Sequence, residues 1–174
     1  ASGRIVFGPD ESTLPRLIRY LFESEGLVMG SVHYSYAQTA AVDFAQLMGG
    51  KVFDNPKNWK DLRRLIEYLS GPDDVVVDFF AGSGSTAHAL LDLNADTGST
   101  RRFIMMQIAE EPDPKSEAAK AGYSSIAEIT RDRIRRVGST IIEGLGLTGD
   151  GIDVGFRNLK LDTTNMADVL RTPD

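Results

Sequence analysis

The sequence predicts an α/β domain organised on a mainly parallel sheet, and three observations carry that class. First, Val75-Val76-Val77 runs into Asp78 and then into Gly82-Ser83-Gly84, after which Ala87-His88-Ala89-Leu90-Leu91 suits a helix. Three β-branched residues ahead of a glycine-rich turn read as a buried parallel strand feeding a helix N-terminus. Second, Phe103-Ile104-Met105-Met106-Gln107-Ile108 follows a polar loop and reads as another buried strand. Third, segments of helical period alternate with these strands along the chain. About four strands can be counted, few for a complete doubly wound domain, so a partial sheet flanked by helices is expected.

Arg4-Ile5-Val6-Phe7 is a short strand broken by Gly8-Pro9-Asp10. Ser12 or Thr13 is placed to cap a helix with Pro15 in its first turn; Leu14, Leu17, Ile18, Leu21 and Phe22 follow at helical spacing, and Gly26 stops it. Residues 27–37 show no clean period and read as a connecting loop. Thr39 is placed to cap a helix from Ala40 to Met48, closed by Gly49-Gly50. Lys51 to Lys57 is extended, because Pro56 biases Asn55 away from the helical region. Asn58 caps the next helix, whose apolar face is Leu62, Leu65, Ile66 and Leu69, with Gly71-Pro72 as its stop.

The central strand, turn and helix occupy Val75 to about Asn94, and Asp96 to Thr100 is a polar loop. Residues 109–122 read as loop, and Ser125-Ile126-Ala127-Glu128 is a capping-box pattern opening a helix to about Ile142. Val154 to Leu161 alternates as a strand, and the tail to Asp174 is polar. The expected division is a lead-in over 1–50, a ligand-binding core over 51–143 and a C-terminal strand with polar tail over 144–174.

Composition narrows the function classes. At 174 residues and 41% hydrophobic, the chain can bury the core of one domain. A net charge of -6 argues against a nucleic-acid-binding surface covering the whole chain, while a local basic patch stays open. The absence of cysteine rules out disulfides and thiolate metal ligands and fits a cytosolic setting. No apolar run approaches the roughly 20 residues of a membrane span. Ala1-Ser2-Gly3-Arg4 is neither a signal peptide nor preceded by Met, so a piece of a longer protein is expected.

Gly82-Ser83-Gly84-Ser85-Thr86-Ala87 formally matches G-x-G-x-x-A, the pattern of a turn whose backbone a ligand approaches closely. The alternative is an ordinary tight strand-to-helix turn. Asp78, just before the glycines, would repel a pyrophosphate docked at that helix start and would suit a ligand bearing an ammonium or sulfonium group. That moves the reading from a nicotinamide dinucleotide towards S-adenosylmethionine, with a backbone-capping role for Asp78 as the competitor. Gln107 ends the second strand, where ribose hydroxyls are usually met by an acid, and its amide can still bond a diol. Phe53-Asp54-Asn55-Pro56-Lys57 offers an aromatic, an amide and an ammonium beside a rigid Pro. Folded beside the glycine turn, Asn55 and Lys57 could meet a ligand carboxylate.

These three segments together resemble consecutive motifs of the amino-group DNA methyltransferases. They are Phe53-Asp54-Asn55-Pro56-Lys57, then Asp78-Phe79-Phe80-Ala81-Gly82-Ser83-Gly84-Ser85-Thr86, then Arg102-Phe103-Ile104-Met105-Met106-Gln107. With the Asn-Pro-Lys segment ahead of the glycines, the order is similar to the permuted β group, closest to the adenine-N6-specific modification subunit of type III restriction–modification systems. Gly3 to Gly8 and Gly155 to Asp162 resemble the flanks of that subfamily.

The resemblance implies a Rossmann-like S-adenosylmethionine-dependent methyltransferase fold. It implies a cofactor pocket drawn from Phe53, Asn55, Pro56, Lys57, Asp78, Phe79, Phe80, Gly82, Ser83, Gly84, Ser85, Thr86 and Gln107. It also implies DNA as substrate of the full-length enzyme, a restriction subunit and self-association as partners, and a prokaryotic cytoplasm as location. The Asp-Pro-Pro-Tyr-type motif that receives the flipped adenine in such enzymes is absent, since none of the seven prolines adjoins another. A C-terminal, cofactor-holding piece that does not methylate DNA alone is therefore expected.

Two other readings stand beside this one. The glycine pattern alone also fits a nicotinamide-dinucleotide-binding oxidoreductase domain. Arg131, Arg133, Arg135 and Arg136 on one helix fit either a non-catalytic module docking DNA or a partner, or simply that helix's solvated face. His33 and His88 are expected to be structural, and Trp59 to pack at its helix start.

Overall fold

The computed structural model describes residues 4–10, 12–17, 30, 32, 35–146 and 151–161. The chain divides into two units, Ala1–Tyr34 and Ser35–Asp174.

In the first unit, β1 (Ile5–Val6) pairs antiparallel with β2 (Arg16–Leu17), Ile5 lying opposite Leu17 and Val6 opposite Arg16. The helix expected to start at Ser12 or Thr13 is not formed over its described part. The Asp10 carboxylate accepts from the Ser12 N–H at 3.0 Å, the Ser12 hydroxyl at 2.6 Å and the Thr13 hydroxyl at 2.9 Å. Both hydroxyls expected to cap a helix are held in a turn at Asp10, which reverses the chain into β2. The rest of that expected helix, and most of the loop expected over 27–37, lie outside the described residues.

In the second unit, α1 (Ala37–Met48) starts three residues before the expected Ala40 and is capped at Tyr36 without a side-chain bond. Thr39 is therefore inside the helix and not its cap. Gly49, in the left-handed region at φ 76°, closes it by donating its N–H to the Ala45 carbonyl. The second helix, α2 (Trp59–Leu69), begins where the sequence indicates, with Asn58 Oδ1 accepting from the Lys60 N–H at 3.0 Å. Of its expected apolar face, Ile66 is buried and Leu62 half-buried, while Leu65 and Leu69 are exposed.

Strands β3 (Val75–Asp78) and β4 (Arg102–Met105) pair in parallel, with Val75 opposite Arg102 and Asp78 opposite Met105. Helix α3 (Ser85–Thr97) is the crossover that parallel pairing requires. The expected loop over 109–122 contains the short α4 (Glu117–Lys120), whose Ser116 side chain accepts from the Ala119 N–H. The last helix, α5 (Ile126–Leu145), follows Ser125. The expected capping box is displaced: the Ser125 hydroxyl makes no cap bond, and Glu128 accepts at 2.7 Å from the N–H of Ser124, one residue before the cap. That bond, with others from Ser124 and Ser125, holds the Glu128 carboxyl below its ordinary pKa.

The core sits on one face of the β3–β4 pair. Val76 and Phe103 pack with Ile66, Ala89, Leu90 and Leu93, and Met105 packs with Ala87, Leu91, Ile134 and Val137. A third cluster joins Phe44, Met48 and Val52 to Ala118 and Ile129. The two strands are not buried on both faces as their sequences suggest. Val75, Val77, Ile104 and Met106 are between 43% and 49% exposed, because no described element covers that side of a two-stranded sheet.

The strand expected from Val154 to Leu161 is also absent. Residues 152–161 have no ladder partner among the described residues, and Val154 and Phe156 instead pack against the α3–α5 cluster. Among the described residues, no helix is long and apolar enough to cross a membrane.

Candidate functional site

The carboxyl end of β3, the glycine turn and the first turn of α3 form one bonded unit. Gly82 and Gly84 both take positive φ, at 51° and 77°, where a Cβ is strained. Gly84 is required twice over, since a methyl built on it would lie 3.1 Å from Thr130 Cγ2 on α5. The turn is closed by the Gly84 N–H donating to the Ala81 carbonyl at 2.7 Å. Beyond it, the first-turn N–H groups of α3 have no carbonyl one turn earlier within the helix and leave a locally positive end.

Asp78 is half-buried at the end of β3. One carboxylate oxygen accepts from the Phe80 N–H at 2.9 Å, and the other accepts from the Thr86 hydroxyl at 2.6 Å. The carboxylate therefore ties the strand end to the helix start, the capping role that competed with ligand binding. Each oxygen retains a further lone pair, so the two roles are compatible. Gln107, beyond β4, is turned to the same place: its carbonyl oxygen accepts from the Gly82 N–H at 2.8 Å and its amide donates to the Ile108 carbonyl at 3.2 Å.

The Phe53–Lys57 segment, some thirty residues earlier, lies directly against this turn. The Ser85 hydroxyl donates to the Lys57 carbonyl at 2.9 Å. The Phe53 ring sits 3.7 Å from where a Gly82 Cβ would stand and meets Phe44 edge-on at 6.3 Å between centroids. Pro56 is buried, while Asn55 and Lys57 are exposed. Phe79 and Phe80 stand on the solvent side of the turn, 64% and 87% exposed. The two segments singled out from the sequence thus meet at the glycine turn, through the Lys57 carbonyl and the Phe53 ring, with the Asp78 carboxylate at its start.

Two residues of α5 that sequence reasoning did not assign to the site hold the turn from below. The Thr130 hydroxyl donates to the Gly82 carbonyl at 2.6 Å. Arg133, expected on a solvated face, is instead only 1% exposed. Its Nη1 donates to the Ser85 hydroxyl at 2.7 Å, the Ser83 hydroxyl at 3.0 Å and the Ser83 carbonyl at 3.3 Å. The other side of the guanidinium faces His88 Nδ1, at 3.3 Å from Nε and 3.1 Å from Nη2. Burial lowers the Arg133 pKa to about 10.

His88 is structural, as expected: its ring stacks on Trp59 at 4.2 Å. Burial, then the nearby charges of Arg133 and Lys60, push its pKa down to about 3, so the imidazole is neutral and accepts from Arg133. A spacing signal for Arg133 did exist, because Ile129, Arg133 and Val137 recur at four-residue intervals and share one helix face.

Residues 27–113, half of the chain and including every segment of this site outside α5, match the family model described as DNA methylase. The chain belongs to the DNA methylase family. This methylase chain is similar to the Mod subunit of the type III restriction-modification enzyme StyLTI of Salmonella typhimurium. They are 35% identical over 165 residues, covering 94% of the chain and 25% of that relative. It is 38% identical to the type II methyltransferase M.KpnI of Klebsiella pneumoniae over 103 residues, 59% of the chain and 24% of that protein. Identity to the EcoP15I Mod subunit of Escherichia coli is 32% over 135 residues, 76% of the chain and 21% of that subunit. The methylase chain therefore spans about a quarter of the length of the relatives it matches.

The other arginines of α5 do not form a bare basic face in this methylase chain. Arg131 pairs with Glu128 at 3.6 Å, Arg136 pairs with Asp132 at 3.0 Å, and Arg135 lies 5.6 Å over the Phe156 ring.

Proposed function

We propose that this chain is the S-adenosylmethionine-binding part of a DNA adenine-N6 methyltransferase of a restriction–modification system. It works in the cytoplasm with a restriction subunit as partner of the full-length protein. The fold is then the Rossmann-like methyltransferase fold, of which β3, α3 and β4 are one strand–helix–strand repeat. The observation that carries the reading is the contact of the Phe53–Lys57 segment with the Gly82–Ser85 turn, made by the Ser85 hydroxyl on the Lys57 carbonyl at 2.9 Å.

The donor set fits the cofactor. Lys57 and Asn55 are exposed, and their ammonium and amide suit the carboxylate end. Asp78 supplies a carboxylate suited to the cationic end, and Phe80 and Phe53 supply apolar surface. Gly82, Ser83, Gly84, Ser85 and Thr86 let a ligand approach the backbone at the head of α3. Phe79 and Pro56 shape the rim and floor. Gln107 meets the ribose with the hydrogen-bonding capacity its amide retains beside Gly82.

When bound, the cofactor supplies an electrophilic sulfonium methyl. The work of these residues is to fix its distance and direction for an amino nitrogen presented by the remainder of the enzyme. No metal ligand is required of them.

Calorimetric titration with S-adenosylhomocysteine tests the reading. Saturable binding that Asp78→Ala and Gly84→Val both abolish is expected, with no heat from NADH. Binding of NADH in place of S-adenosylhomocysteine, or of neither by the folded chain, overturns it.

A further inference from the structure

Arg133 is a buried cation whose partners among the described residues include no acid. Its guanidinium is held by two hydroxyls, one carbonyl and an imidazole nitrogen, and it lies 5.1 Å over the Phe44 ring. Among the described residues no carboxylate lies within ion-pair distance of it. Such burial is costly unless the donors are well used. Here one nitrogen reaches both residues that flank Gly84, and Thr130, three positions earlier on α5, takes the Gly82 carbonyl and packs on Gly84. One face of α5 thereby contacts all four residues of the turn. Arg133 also lies beyond residue 113, where the family match ends.

We propose that Arg133 is a positioning residue for the methyl-donor site, its guanidinium holding Ser83 and Ser85 in the one arrangement that presents the Gly82–Ser85 backbone to the cofactor. This rests on the cofactor reading given above. The guanidinium does not touch the ligand; it acts through the two serines. A planar fork can donate to several acceptors at once, whereas an ammonium on a flexible stem keeps the charge and loses that geometry. His88 completes the seat, a neutral acceptor on the far side that leaves the donors facing the turn correctly aimed.

The test compares the unaltered chain with Arg133→Lys, Arg133→Gln and Ile134→Val. Ile134 is on the same helix, and its packing is apolar, in the cluster of Ala87, Leu91 and Val137. Melting curves set a titration temperature at which every variant is fully folded, so loss of stability alone does not move the affinity measured there. Affinity for S-adenosylhomocysteine is expected to fall at least tenfold in both Arg133 variants and to stay within twofold in Ile134→Val. Amide hydrogen exchange, measured without ligand, is expected to quicken at Ser83 and Gly84 in the Arg133 variants alone.

If the unaltered chain binds S-adenosylhomocysteine and Arg133→Lys binds it equally well, the role of Arg133 is overturned and the cofactor reading stands. If the unaltered chain does not bind, the cofactor reading falls and the inference falls with it. If the Arg133 variants do not fold, the chain with Thr130→Val decides. Its Cβ branch and volume are kept while the bond to Gly82 is lost, and unchanged affinity there overturns the idea that α5 positions the turn.

Discussion

The carbonyl oxygen of the Gln107 side chain accepts from the Gly82 N–H at 2.8 Å, joining the end of β4 to the turn after β3 across 25 residues of chain. Removing the acceptor leaves a half-buried N–H without its partner, while a carboxylate in its place restores it. Gln107→Leu is expected to lower stability by about 1–2 kcal/mol and to weaken S-adenosylhomocysteine binding. Gln107→Glu is expected to retain both. Urea denaturation and calorimetry on the two variants check this, and equal losses in both would show that the bond to Gly82 is not what matters.

The glycines Gly84 and Gly98 separate backbone strain from crowding. Both are left-handed, at φ 77° and 67°, but only Gly84 has atoms within 4 Å of a built Cβ. Gly98→Ala is expected to cost about 1 kcal/mol, the penalty of the left-handed region alone. Gly84→Ala adds displacement of Thr130 and is expected to cost about 2–4 kcal/mol. Denaturation midpoints measured side by side give the difference directly, and similar costs would mean that α5 yields freely at Thr130.

The parts legible in the sequence are those where local chemistry and the final environment agree. Asn58 before Trp59 specifies a helix start by its own side chain, and Gly82 and Gly84 answer a left-handed turn and a close neighbour. The nearness of Phe53–Lys57 to that turn followed from resemblance alone, because nothing local brings residues thirty apart together. Arg133 was misplaced because a charged residue on a mixed helix is usually solvated; the polar turn that receives it is a tertiary feature. Asp10 misled for a local reason, its carboxylate competing with a helix for Ser12 and Thr13. The alternation of Val154 to Leu161 was genuine, yet a strand also needs a neighbour, and none of the described strands offers one.

The uncovered face of β3 and β4 leads to a prediction about substitution tolerance. Ile104 is 49% exposed, whereas Leu90 on the opposite side of the sheet is fully buried. Ile104→Thr keeps the β-branch that suits a strand and is expected to change stability by less than about 0.5 kcal/mol. Leu90→Ala is expected to cost about 2–5 kcal/mol. The first substitution should also reduce binding of a fluorescent apolar dye to the chain. A large cost for Ile104→Thr would mean that this face is covered in solution, by self-association or otherwise, and sedimentation of the variant would distinguish those cases.

His88 makes the fold sensitive to mild acid. Its pKa is about 3 in the folded chain against an ordinary 6.5, lowered first by burial and then by Arg133 and Lys60. The unfolded chain therefore takes up the proton first as pH falls. The stability linked to the neutral ring is whole above pH 6.5 and is lost progressively as pH drops towards the folded value. Between pH 8 and pH 5 this amounts to about 2 kcal/mol. Protonation would also set a second cation beside the Arg133 guanidinium, 3.1 Å from the ring nitrogen, so the same acidification loosens the seat beneath Ser83 and Ser85. Urea midpoints measured across this range should fall with pH in the unaltered chain. In His88→Asn, whose side-chain carbonyl can accept from Arg133 without titrating, the slope above pH 5 should flatten. A slope that persists in His88→Asn would assign the acid sensitivity to other groups.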